Sequence, residues 1–295
     1  MAWRPNRRSF IKCAAAYVVT GARLINFGFS RELASPASLL SAPVETYGAW
    51  GGSRPEAAKR VVLRTREACL SGARLFSDRQ PEALRVDNHF DGPPSIWLHA
   101  DPARTAWVIV DIDPRDWCKL AYQFGHELGH VLANSWNAAA SPRPPCQWLE
   151  EAMVEAFSIR GLAILAADWE RDPPFTDDSA FSGAIRKYRA DLIDKYRQAG
   201  GQAPSTDLAA WFAADRATLD DARGLSDSLG PAVIAILAAL ESDIACVEDL
   251  GALNRWPART GLPIAAYLKA WQASCAELNA AGMLPATLQR ELGVA

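Results

Sequence analysis

The sequence predicts an α+β fold in which a small sheet packs on one amphipathic helix and the C-terminal half is mainly helical. Three observations carry this. Short segments rich in β-branched and aromatic residues are confined to residues 84–112. Apolar residues recur at helical spacing on both sides of them, and past residue 146 that period is nearly unbroken. The 295 residues are 49% hydrophobic and 22% charged, enough apolar material for one large core or two modest ones. The net charge of −3, with no basic stripe interleaved with aromatics, gives no sign of a nucleic-acid partner.

Residues 1–41 are expected to stand outside that fold. They carry the positive charges of Arg4, Arg7, Arg8, Lys12, Arg23 and Arg31 against the single negative charge of Glu32, so the remainder is more acidic than the whole. In Asn6-Arg7-Arg8-Ser9-Phe10-Ile11-Lys12, paired arginines precede an apolar residue and a trailing lysine. A moderately apolar run, Cys13 to Phe29, follows, and then the small-residue stretch Ala34 to Pro43. This arrangement resembles a twin-arginine export signal. The resemblance implies a periplasmic or secreted protein whose domain occupies residues 42–295. Nothing downstream offers about 18 uninterrupted apolar residues, so no membrane span is expected once the signal is removed.

Within residues 42–134, the spacing of Ala58, Val61, Val62, Thr65, Ala68, Cys69 and Gly72 predicts a helix over 54–77, with Pro55 suited to its first turn. Strands are expected at Leu84–Asn88, Ser95–His99 and Thr105–Ile112, and a free edge of such a sheet could pair with an extended peptide. Asp113 then reads as a helix N-cap with Pro114 at the first helical position. From there Trp117, Leu120, Ala121, Phe124, Leu128, Val131 and Leu132 trace a broad apolar surface up to Asn134.

That helix carries Gly125-His126-Glu127-Leu128-Gly129-His130, an H-E-x-x-H. His126 and His130, four apart, stand on one face and could each offer a ring nitrogen to a single metal ion. Glu127, about 100° round the helix, could reach a water on that ion. Burying two imidazoles without partners would cost about 1–3 kcal/mol each, and one cation serves both. The five cysteines beyond the signal (Cys69, Cys118, Cys146, Cys246, Cys275) show no C-x-x-C pairing, so they make neither a thiolate zinc site nor a disulfide-dense scaffold. One or two bridges would be compatible with an oxidising compartment.

Residues 135–295 are the expected helical part. A proline-bearing loop leads into Gln147-Trp148-Leu149-Glu150-Glu151-Ala152-Met153-Val154-Glu155, where the apolar residues have helical period and Glu151 and Glu155 share a face. Glu150 fits a solvated acidic face. Further helices are expected at Phe181–Gln198, broken by Gly200-Gly201, and at Leu208–Ala214, Ser228–Ile244 and Leu262–Cys275.

HELGH followed by WLEEAMVE resembles the gluzincin group of zinc metallopeptidases, whose second helix commonly reads W-x-x-E-G-x-A-E. Ala152 here stands where glycine is usual. The resemblance implies a zincin-like fold, one zinc ion held by His126, His130 and Glu151, and Glu127 as general base. It further implies that Glu155 accepts a hydrogen bond from a ligand histidine. Trp136 occupies the position where metzincins need a third histidine, and no histidine follows His130. Asp168 and Asp172 are the competing carboxylates, at or beyond the end of the second helix. Gly261, Tyr267 and Trp271 are loosely similar to a G-x-x-x-x-x-F/Y-x-x-x-W segment of the gluzincin tail. The tyrosine that many gluzincins place three residues before the helix glycine aligns with Asp227, which leaves Tyr188, Tyr196 or an arginine to stabilise an oxyanion. The expected activity is hydrolysis of peptide or protein substrates. The alternatives are a catalytically silent peptide-binding or assembly module on the same fold, or a zinc hydrolase of another bond.

Overall fold

The computed structural model describes residues 38–51, 53–74, 77–89, 92–100, 104–199 and 207–294. The twin-arginine-like segment and the Gly200-Gly201 break lie outside them. In chain order the elements are α1 (Ser38–Ser41), β1 (Val44–Gly48), α2 (Pro55–Cys69), β2 (Ala83–Asn88), β3 (Ser95–Ile96), β4 (Thr105–Val110) and α3 (Trp117–Leu132). There follow α4 (Gln147–Arg171), α5 (Phe181–Ala199), α6 (Leu208–Asp221), α7 (Gly230–Ser242), α8 (Ile244–Leu250), α9 (Ile264–Leu278) and α10 (Met283–Glu291). Helix and a small mixed sheet thus make an α+β protein. No single described helix is long and apolar enough to cross a membrane.

The sheet has the order β1-β2-β4-β3. β1, β2 and β4 run parallel, and the two-residue β3 lies antiparallel on the β4 edge. Parallel neighbours need a crossover, which α2 supplies between β1 and β2. Alternation sets the faces: Leu84, Val86, Ala106, Val108 and Val110 are buried against the helices. On the outer face the Arg85 guanidinium sits between the Tyr47 and Trp107 rings, 4.0 and 3.8 Å from their centroids. The sequence had suggested three strands. The fourth, β1, is only five residues long and exists through its pairing with β2, which no local pattern reveals. The packed chain also reaches upstream of residue 42: Leu39 is buried and its amide donates to Gln80 Oε1 at 2.8 Å.

The helix carrying H-E-x-x-H begins later than the Asp113-Pro114 pair suggests. Asp113 instead opens a turn in which Arg115 takes a positive φ of 63°, and Asp116 is the cap, its carboxylate accepting from the Lys119 amide at 3.2 Å. The helix expected over 228–244 is α7, and Asp243 follows it, its side chain capping α8 through the Ala245 amide. α10 had no counterpart in the periodicity.

α3 lies between the sheet and α4, and two glycines set how closely the helices meet. A Cβ on Gly125 would come within 2.8 Å of Ser158 Oγ, and one on Gly129 within 2.8 Å of Val154 Cβ. Close approach matters because a Glu151 side chain must reach across to α3. The C-terminal end of α3 is fixed by Asn134, in the left-handed region at φ 62°, whose amide donates to Gly251 O (3.1 Å) and Leu253 O (2.8 Å).

Cys69, Cys118, Cys146, Cys246 and Cys275 are all free and buried, with no disulfide among the described residues. Burial pushes the Cys69 and Cys146 thiols up to about 12 and those of Cys118 and Cys246 to about 11, from 9.0. A thiol with a raised folded pKa contributes stability that is complete below its unfolded value and is lost as pH climbs through the folded one. Denaturant stability is therefore expected to decline from pH 9 towards 12, by about 1 kcal/mol per pH unit for each thiol. These cysteines should react with a thiol reagent at pH 8 only after unfolding. Prompt labelling of the native protein would contradict this.

Candidate metal centre

His126 and His130 lie one turn apart near the buried middle and end of α3, their ring centroids 5.2 Å apart. Helix α4 enters from the 135–146 loop and presents Glu151 from its second turn. Glu151 Oε2 stands 3.4 Å from His126 Nε2 and 3.6 Å from His130 Nε2. These distances exceed the 2.7–2.9 Å or so of a charge-assisted hydrogen bond. Donors about 2.1 Å from a common centre at tetrahedral angles stand about 3.4 Å apart, so the spacing matches the edges of a coordination tetrahedron. One ligand atom from each of the three residues lies within 4.8 Å of the others. Among the described residues this is the grouping of histidine and carboxylate side chains that could hold a metal ion. Asp168 and Asp172 are not part of it; they pair with Arg171 and Arg64.

The far nitrogen of each ring is also held. His126 Nδ1 meets Glu155 Oε2 at 2.8 Å, and His130 Nδ1 meets Glu150 Oε1 at 2.9 Å. A carboxylate facing Nδ1 holds each ring so that its Nε2 is turned toward Glu151. Glu155 is fully buried and also accepts from Tyr122 Oη (2.9 and 3.1 Å) and Tyr196 Oη (2.9 Å). These three partners fix its orientation.

Glu150 departs from expectation. Instead of lying on a solvated face it is 1% exposed, because the start of α4 is enclosed on all sides, with Trp148, Leu149, Ala152 and Met153 buried around it. Its second oxygen accepts from Asn254 Nδ2 at 2.7 Å. Asn254 is itself fully buried at φ 56°, and its side-chain oxygen accepts from Tyr267 Oη at 3.3 Å. Arg259 donates to Asn254 O (2.9 Å), Asn134 O (2.7 Å) and Ser135 Oγ (2.9 Å). The tail therefore reaches the His130 ring through Tyr267, Asn254 and Glu150. Nothing local in the sequence marks Asn254; the one signal was the aromatic spacing that includes Tyr267.

Burial opposes charge on His126, yet the facing Glu151 and Glu155 carboxylates and the nearby Glu127 outweigh it and lift its pKa to about 10. His130 is likewise lifted well above its ordinary value against burial, by the Glu151 carboxylate and by its contact with Glu150. Both rings thus face a field that favours positive charge, which a cation can supply. Glu127, 3% exposed, is shifted the other way for a carboxylate: burial raises its pKa, the two histidines oppose this, and Glu151 and Glu155 reinforce it.

The cluster floors a cleft of about 550 Å³. Its lining includes Pro94, Ile96 and Leu98, from β3 and its flanks, and Arg223 and Leu225, after α6. Tyr122 lines the cleft too. Of the tyrosines considered for an oxyanion, Tyr196 is committed to Glu155 and Tyr188 packs tilted against Tyr122, their centroids 5.8 Å apart; Asp227, at the position of the family's usual tyrosine, pairs with Lys195 at the surface. Family models, curated proteins and solved structures offer no match to this chain.

Proposed function

We propose that the protein is a gluzincin-like zinc hydrolase, acting on peptides, with a zincin-like fold. The observation that carries the reading is the convergence of His126, His130 and Glu151 in a cleft, their ligand atoms within 4.8 Å of one another and Glu151 Oε2 3.4 and 3.6 Å from the two Nε2 atoms. Two imidazoles and one carboxylate are a zinc donor set that leaves a position for water. Zinc held there would acidify that water and polarise a carbonyl oxygen.

The remaining work falls to the chain's own groups. Glu127, nearly buried and with a raised pKa, takes the proton of the attacking water and returns it to the departing amine. Glu155 and Glu150 hold the two rings in the tautomer that presents Nε2. Among the described residues β3 pairs only with β4 and lines the cleft, so its other edge would serve to align an extended peptide. Export by way of the Arg7-Arg8 segment belongs to the same reading.

The test is restoration. Chelator-treated protein should lose hydrolysis of internally quenched peptides and regain it with one equivalent of zinc. Zinc uptake without hydrolysis of any peptide would replace the peptidase reading with that of a silent binding module.

A further inference from the structure

Resting on that reading, we infer that Arg223 is the carboxylate anchor of the substrate cleft, so that the preferred substrates are peptides carrying a carboxylate next to an apolar residue. Arg223 is the one lysine or arginine among the described residues that line the cleft. Its guanidinium has no hydrogen-bond or ion-pair partner among the described residues, whereas Arg64, Arg85, Arg186, Arg189 and Arg255 are all engaged. Its backbone carbonyl accepts from Gln147 Nε2, at the start of α4, at 3.0 Å. That bond ties the Arg223 rim to the helix that carries Glu151.

The rest of the cleft explains why one cation there would decide specificity. Glu127, Glu150 and Glu151 line the floor and Glu155 lies behind them, four carboxylates against a dication and two neutral rings. A substrate carboxylate is repelled from most of that surface and is accommodated beside Arg223, whose exposed guanidinium offers a fork-shaped donor at the rim. Leu225, two residues on, and Ile96 and Leu98 across the cleft provide the apolar contact for the neighbouring side chain. The carboxylate can be the chain terminus or an acidic side chain; the chemistry is shared.

The experiment uses the full chain loaded with zinc and carrying Glu127→Gln, so that peptides bind without turnover. Three probes are titrated by calorimetry: N-acetyl-Phe-Leu with a free carboxylate, its amide, and the amide of N-acetyl-Phe-Glu. One of the two acids should bind about five- to tenfold tighter than the neutral amide, and which one identifies the source of the carboxylate. Arg223→Gln should abolish that preference and Arg223→Lys should keep part of it. Equal binding of all three probes, or a preference that survives Arg223→Gln, overturns the inference. Peptidase assays fail separately: hydrolysis with no acid preference sinks the anchor alone, and acid-selective binding without any wild-type hydrolysis sinks the peptidase reading alone.

Discussion

Replacing Glu127 with glutamine is expected to lower peptide turnover by about 10² to 10⁴-fold while zinc stays bound. The glutamine side chain has nearly the same size and can still hydrogen-bond in the cleft, but it cannot take a proton from water. Glu127 is not among the three groups whose ligand atoms converge, so metal content should not change. Burial raises its pKa above the ordinary carboxylate value, which strengthens it as a proton acceptor. A Glu127→Gln protein that keeps more than a tenth of wild-type turnover would remove Glu127 from the chemistry, and one that loses its metal would show instead that the side chain supports the site's structure.

Removing the Glu151 carboxylate is expected to have the other large effect, on binding. Glu151→Ala deletes one of three converging donors and leaves two imidazoles whose Nε2 atoms face a solvent-filled gap, so zinc affinity should fall at least about a hundredfold. Glu150→Gln and Glu155→Gln alter only the partners of the far ring nitrogens, for which losses of about 10- to 100-fold are typical. A competition titration against a chelating dye orders the three. Should Glu150→Gln weaken zinc more than Glu151→Ala does, the assignment of which carboxylate faces the ion would be reversed.

The parts of this arrangement that were legible in the sequence are those with a short repeat distance. The His126–His130 spacing, the Glu151–Glu155 spacing and the alternation in β4 each express the geometry of one element, and the structure draws Glu151 to both histidines. What escaped the sequence depends on contacts between distant segments. Glu150 looked solvated because its enclosure comes from helices packed around α4, and its partner Asn254 lies 104 residues away. β1 escaped for a similar reason: Val44–Gly48 is a strand because β2 pairs with it across the α2 crossover. Gly125 and Gly129 were in view within the motif, but their value is the proximity of Ser158 and Val154 on another helix. The cap moved from Asp113 to Asp116 because both are aspartates with helix-starting neighbours, and only the positive φ of Arg115 separates them.

X-ray absorption on the zinc-titrated protein tests the central claim most directly. One ion per chain, bound by two imidazole nitrogens and a carboxylate oxygen at about 2.0–2.2 Å, is the expected result. Failure to take up an equivalent of zinc, or a first coordination sphere without imidazole, would contradict it.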